Sequence, residues 1–281
     1  MTEADDVPPR YDELAEGYAR HWGPVIAPAA IALVDRLPAG VADGARDGDA
    51  IDVVDVGTGT GTLAAEVLRR WASARVTGID PSPAMLELAG PALRDAMDAE
   101  AAARFEPRTA FADRLPLADA SMDVAISSFV LQLVPDRGAA LREIRRVLRP
   151  GGVLGWVTWL QGGSPFRGDD VVDEVLDDFG FDPPERDGRS GDPASAAAAA
   201  AATRRAGFGE VRAEASELVH HWTPAAYTAF ITEFDEQSTF AELDGRERRA
   251  AEHQLLGALS RLTAEELTVR MPIVYVVGTA R

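Results

Sequence analysis

Apolar positions in this chain fall into short continuous runs separated by longer stretches with helical spacing. Val53-Val54-Asp55-Val56 is a β-branched run carrying one acid. It breaks at Gly57, Gly59 and Gly61, then resumes from Thr62 as an apolar, helix-forming segment. That is strand, tight loop, helix. The alternation continues with a second strand, Val76 to Asp80, and helices over Pro83–Leu88 and Pro91–Ala103. A third strand and its exit loop cover Phe105–Ala112, and a fourth strand covers Ser121–Ser128. The amphipathic segment Arg137–Leu148, with Leu141, Ile144, Val147 and Leu148 on one face, stops at Pro150-Gly151-Gly152 before a fifth strand, Val153–Trp159. Strands alternating with helices predict a parallel sheet covered on both faces.

The flanks read differently. Residues 1–9 are acidic and Pro-containing, which predicts fraying. Tyr11–Trp22 predicts an amphipathic helix with Leu14, Tyr18 and Trp22 on one face and Tyr11 a turn before them. A second helix, Pro28–Leu37, precedes a Gly/Asp-rich linker, Gly40–Ala50. Beyond Gly162, Val171, Val172, Val175, Leu176 and Phe179 form a helical apolar stripe with acids on the opposite face. From Asp169 to Asp192 there are ten acids against two arginines; they alternate with the stripe, so they read as a solvated face and not as convergent metal ligands. Asp182–Ser195 reads as a mobile loop, and Asp192-Pro193 as the cap of an Ala-rich helix running to Arg205. A strand over Phe208–Leu218 follows, then a helix starting at Thr223-Pro224 with Tyr227, Phe230, Ile231 and Phe234 at helical spacing, and another over Gly245–Leu262. Leu267–Thr279 predicts a closing edge strand bent at Met271-Pro272.

Composition narrows the chemistry. The chain has 281 residues, 46% hydrophobic and 26% charged, enough for one large α/β unit with an insertion. Cysteine is absent, which excludes disulfides, thiolate nucleophiles and Cys-ligated zinc. All 28 basic residues are arginine, which excludes a P-loop lysine, a pyridoxal Schiff base and a lysine general base. A net charge of −18 argues against nucleic acid and anionic membrane as partners. No apolar run approaches the ~18 residues of a membrane span, and a cytoplasmic location is expected.

The glycine loop marks the ligand site. Its glycines let a ligand lie against the backbone, and the following helix directs its N-terminal amides into the same space. Gly59-Thr60-Gly61-Thr62-Leu63-Ala64 also satisfies the dinucleotide fingerprint G-x-G-x-x-G/A, with Asp80 where a ribose-binding acid belongs. Asp55, however, would repel a pyrophosphate and could attract an ammonium. Together, Asp55-Val56-Gly57-Thr58-Gly59-Thr60-Gly61 and Gly78-Ile79-Asp80-Pro81-Ser82-Pro83-Ala84-Met85-Leu86 resemble the class I S-adenosylmethionine (SAM)-dependent methyltransferases. The branch they look most like is that of the ubiquinone/menaquinone-biosynthesis methyltransferases. The Leu148-Arg149-Pro150-Gly151-Gly152-Val153-Leu154 junction is also typical of it, and the likeness is strong over roughly residues 50–160.

The resemblance implies an α/β, Rossmann-like, seven-stranded, mostly parallel sheet with an antiparallel last strand and a helical cap. It divides the chain into an N-terminal cap and linker (1–50), a SAM-binding core (51–160), a helical cap with the sixth strand (161–262) and a terminal strand (263–281). It also implies SAM as cofactor and in-line methyl transfer to O, N or C; the aromatics Trp22, Trp159, Phe166, Trp222, Phe230 and Phe234 suggest a small, apolar or aromatic substrate, with a role as plain core the equal alternative. Asp80 would bind the ribose hydroxyls; Asp55, Gly57, Thr58, Gly59 and Gly61 the methionine end; and Pro81 and Met85 the nucleoside, with Ala112 and Ser127 nearby. Tyr11 and Tyr18 would cap the cofactor. The family's adenine-binding acid is replaced here by Phe111, leaving Phe111 to pack on the base and Asp113 to take the polar role. His221, His220 and His21, in that order, are the candidate bases, all assigned to cap segments; His253 reads as solvated. A nicotinamide oxidoreductase and a non-catalytic SAM-binding protein are the rival readings.

Overall fold

The computed structural model describes residues 7–41, 50–181 and 191–281. The expectations for residues 1–6, 42–49 and 182–190, parts of the frayed start, the linker and the loop, lie outside the described residues.

In chain order the elements are α1 (Val7–Gly17), a π-helical turn (Tyr18–Trp22), α2 (Gly23–Val34), β1 (Ile51–Val56), α3 (Thr62–Arg70), β2 (Ala74–Asp80), α4 (Pro83–Ala96), α5 (Ala99–Ala102) and β3 (Phe105–Thr109). They continue with β4 (Met122–Ser128), α6 (Arg137–Val147), β5 (Leu148–Trp159), α7 (Arg167–Asp178), α8 (Ala196–Arg205) and β6 (Phe208–His221). The last are α9 (Pro224–Phe230), a second π-helical turn (Ile231–Asp235), α10 (Gln237–Glu242), α11 (Gly245–Leu259) and β7 (Thr268–Ala280).

One seven-stranded sheet has the order β3-β2-β1-β4-β5-β7-β6. β1 pairs in parallel with β2 and β4, β3 with β2, and β4 with β5. Only β7 runs antiparallel to its neighbours, β5 and β6. The pleat sends Val53 to one face, packed among residues of α2 and α3, and Val54 and Val56 to the other, among residues of α6 and α8. A third apolar cluster joins α7, α9 and α11 into a cap, with Val175, Leu176, Phe230 and Leu255 buried in it. Trp22 packs against both the sheet and the cap clusters.

Five expectations need correction. The N-terminal helices are not separate: helical backbone runs from Val7 to Val34, and Pro28 lies inside α2 instead of starting it. Packing of Ala29, Leu33 and Val34 in the core outweighs the one donor that Pro28 removes. For the same reason α4 runs through Pro91, its Ala89 and Leu93 being buried, and only the short α5 follows. Helix α8 is capped by Ser195, whose Oγ accepts from the Ala198 amide at 3.1 Å, not by Asp192. Strand β6 continues past Leu218, pairing with β7 as far as His221–Thr268, so His220 and His221 lie in the sheet. That pairing makes β6 the edge and β7 an interior strand. Pro272 is tolerated there because its missing donor faces Leu160, one residue past the last β5 pair, Trp159–Ile273, while its carbonyl still accepts from the Leu160 amide at 2.8 Å.

Gly155 in β5 brings the sheet under the N-terminal helical run. A Cβ there would meet Leu37 Cδ2 at 2.5 Å and Leu33 Cδ1 at 3.4 Å. Gly155→Val should therefore lower stability by about 1–3 kcal/mol through overpacking. Urea unfolding should show a lower midpoint at unchanged slope.

Candidate functional site

The penultimate residue of β1 is Asp55, which is 1% exposed and accepts a hydrogen bond from Thr58 Oγ1 at 2.8 Å. The loop behind it is tied to the end of β2, since the Gly57 and Thr58 amides donate to the Ile79 carbonyl at 2.7 and 2.9 Å. Gly57, Gly59 and Gly61 all have positive φ. At Gly59 (φ 53°) a Cβ would meet nothing within 4 Å, so the loop faces open space where a ligand can approach the backbone. Gly61 instead packs against Leu93.

Asp80, at the end of β2, joins these pieces. Its Oδ2 accepts from the Gly59 amide at 2.8 Å and its Oδ1 from the Ser82 amide at 3.0 Å. Ser82 Oγ accepts from the Met85 amide at 3.2 Å, capping α4, and donates to Asp12 Oδ1 at 2.5 Å. Asp12 thereby fastens α1 across the mouth of the site. Sequence reading missed Asp12, because a contact between residues 70 apart leaves no local pattern.

A cavity of about 190 Å³ opens above these strand ends. Gly57, Gly59, Asp80, Pro81 and Met85 line its floor, Phe111 and Ala112 one side, and Tyr11 and Tyr18 the cover. A narrower recess beside it is lined by Asp55, Thr58, Gly57 and Tyr18. The predicted cofactor residues thus meet, with three exceptions. Gly61 lines neither space. Asp113 is exposed and turned away from both, while Phe111 is 51% exposed at the cavity edge. Ser127 is buried with its hydroxyl donating to the Val56 carbonyl at 2.8 Å. Its neighbour Ser128 lines both spaces, and its buried Oγ has no hydrogen-bond partner. Trp159 also faces the cavity, as do Gln132 and Ile26, which were not singled out by sequence.

The electrostatics here are one-sided. Burial, with repulsion from Asp80, pushes the Asp55 carboxyl up to about 7, against the Thr58 hydrogen bond that lowers it. Burial, with Asp12 nearby, pushes Asp80 up to about 6 despite its two amide donors. The Tyr18 phenol is held well above its usual value by burial first, then by Tyr11 and the two carboxylates. No basic side chain among the described residues lines either space. A pyrophosphate would find no countercharge, whereas a ligand with a cationic tail, hydroxyls for Asp80 and an acceptor for Ser128 fits. SAM has these features.

A second cavity, about 430 Å³, lies beneath the cap and shares Tyr11 and Trp22 with the first. Rings from α9 and the π-turns line it together with Trp222, just past β6, and with Asp169, Asp235 and Arg270. The candidate bases lie elsewhere. His21 Nε2 is 2.9 Å from Glu233 Oε2. His221 Nδ1 is 2.8 Å from Thr268 Oγ1, and His220 packs edge-on against Trp222. None of the three lines either cavity.

Residues 54–155 match the family model described as "Methyltransferase domain". This segment is a methyltransferase domain. It spans the glycine loop, Asp80, Phe111 and the β4 exit. A malonyl-[acyl-carrier protein] O-methyltransferase from Pseudescherichia vulneris is 37% identical over 115 residues, 40% of this chain and 41% of that protein. A ubiquinone/menaquinone biosynthesis C-methyltransferase from Syntrophotalea carbinolica is 34% identical over 165 residues, 57% of this chain and 61% of that one. Each match thus spans less than two thirds of the curated relative. The fold extends further: the YcgJ protein from Bacillus subtilis superposes with a TM-score of 0.56 at 15% identity, covering 90% of this chain and 98% of that chain.

The raised carboxyls of the methyltransferase domain give a proton signature. Both bind protons more tightly folded than unfolded, so their contribution to stability falls as pH rises from about 4 through about 7. A ligand ammonium beside Asp55 favours its ionised form. Binding of S-adenosylhomocysteine at about pH 6.5 should therefore release protons, read by calorimetry in buffers of different ionisation enthalpy. Asp55→Asn should remove most of that release.

Proposed function

We propose that this chain transfers the methyl group of SAM to a small, apolar or aromatic molecule held beneath the cap. The observation that carries the reading is the juxtaposition of two cavities. The one over the methyltransferase domain's glycine loop shares Tyr11 and Trp22 as lining with a larger aromatic one. When bound, SAM supplies a methyl group already activated by its sulfonium centre. The chain's own work is then to hold, orient and exclude water.

In this reading Asp80 holds the ribose hydroxyls, its orientation already set by Gly59 and Ser82. Asp55 and Thr58 take the methionine end, Met85 and Pro81 the nucleoside, and the exposed ring of Phe111 covers the adenine in place of an acid. Ser128, with its unpartnered hydroxyl, replaces Ser127 as the polar contact from β4. Phe129 packs against Trp159 at a tilt of 33° with ring centroids 4.1 Å apart, and Trp159 lies 6.0 Å from Trp22. These rings form an apolar wall of the cofactor cavity, and Trp22 borders the second cavity as well. With the histidines outside both cavities, positioning takes precedence over a histidine base. In this reading residues 51–160 are the cofactor core, and within 161–262 the sixth strand, β6, joins the sheet while α7 and α9–α11 form the cap. No helix among the described residues is long and apolar enough to cross a membrane. The net charge of −18 favours a small molecule over nucleic acid as partner.

Titration calorimetry tests the reading. SAM and S-adenosylhomocysteine should bind and NAD should not; tighter binding of NAD would favour an oxidoreductase. Asp80→Ala should cost about 1.5–3 kcal/mol of cofactor affinity, roughly 10- to 100-fold, through its charge-assisted hydrogen bonds. Near-normal affinity in that variant would remove Asp80 from the ribose site.

A further inference from the structure

The larger cavity is asymmetric in charge as well as rich in rings. Trp22, Trp222, Phe230 and Tyr227 surround it, with Trp22 and Phe230 at 5.3 Å, Trp222 and Phe230 at 5.0 Å, and Tyr227 and Phe230 stacked at 5.8 Å. Two carboxylates enter this aromatic lining from different elements, Asp169 from the first turn of α7 and Asp235 from the end of the second π-turn. Tyr227, itself 2% exposed, donates its hydroxyl proton to Asp169 Oδ1. That bond fixes the carboxylate and uses only one of its oxygens. Asp235 lies close enough to help hold the proton on Tyr227, after burial and Asp169.

Arg270 is the only basic residue lining the cavity among the described residues, and it is committed elsewhere. Its guanidinium stands 3.3 Å from Glu265 and 3.5 Å from Glu217, with 43% of the side chain exposed at the rim. A carboxylate or phosphate entering the cavity would meet two acids and a cation whose charge is already answered. A positive group would meet ring faces and two carboxylates, each of which attracts it.

We infer that the cavity takes an amine, bound as a cation on a small apolar or aromatic body, between the ring faces and the Asp169 and Asp235 carboxylates. This rests on the methyltransferase reading for its meaning as the acceptor site, but the charge preference stands on the cavity alone. Among the described residues, the lining of this cavity offers a carboxylate no basic side chain that is not already paired with acids. The selectivity comes from the cap, which lies outside the matched domain.

Two probes of the same skeleton and opposite charge, 2-phenylethylamine and 3-phenylpropionate, test the inference by direct binding. Calorimetry or quenching of Trp22 and Trp222 fluorescence, with S-adenosylhomocysteine present, reads the affinities without turnover. The amine should bind at least about tenfold more tightly than the carboxylate. Asp169→Asn and Asp235→Asn should each narrow that ratio several-fold while leaving S-adenosylhomocysteine affinity unchanged. The amide oxygen introduced by Asp169→Asn can still accept from Tyr227, and should either variant fail to fold, the wild-type ratio decides. Equal or tighter binding of the carboxylate, or an unchanged ratio in both variants, overturns the inference. If the amine binds selectively but S-adenosylhomocysteine does not, the methyltransferase reading fails and the charge preference survives.

Discussion

Asp80 is the junction on which the cofactor end depends. One carboxylate receives the Gly59 amide from the loop after β1 and the Ser82 amide from the turn after β2. Burying that charge is unfavourable, as its raised pKa records. The two amides offset part of the cost and fix the loop in the shape that leaves Gly59 facing open space. Through Ser82 the same junction reaches Asp12, so the helix covering the site is registered against its floor. A site built this way needs little rearrangement when its ligand arrives.

Much of this was legible because it was local. A strand, a positive-φ loop and a helix follow one another within a short stretch, and an acid closes the next strand; both patterns survive without knowledge of tertiary structure. What was not legible turned on single-residue choices or distant partners. Ser127 and Ser128 are adjacent and chemically identical, yet the pleat sends one hydroxyl to the Val56 carbonyl and the other into the cavity. Asp192 and Ser195 are both good caps close together in sequence, and only the backbone decides between them. His220 and His221 followed an apolar run that looked finished at Leu218; pairing with the distant β7 carried the strand on. Pro28 and Pro91 looked like helix boundaries because local propensity omits what burial returns.

The cap and the sheet are separate cores that meet at few points, and Trp22 is one of them. It packs against both clusters and borders both cavities. Tyr18 and Trp22 are the first and last residues of the π-helical turn, and both line the cofactor cavity. The second π-turn, Ile231–Asp235, lies against the first and carries Asp235. Both irregular turns thus serve the cavities they border.

The position of β7 has a kinetic consequence. β6 pairs only with β7, and β5 offers β7 its outer edge, so neither can complete its ladder until residues 268–280 are in place. The first five strands can assemble from near neighbours in sequence while Val153, Leu154 and Val157 of β5 wait on an open, apolar edge. Contacts of such long range are slow to form, and an unpaired edge in the interval is a template for another chain. During synthesis the unfinished sheet should therefore be the species most exposed to misassembly, and closure of the β5–β7–β6 ladder the event that ends its vulnerability.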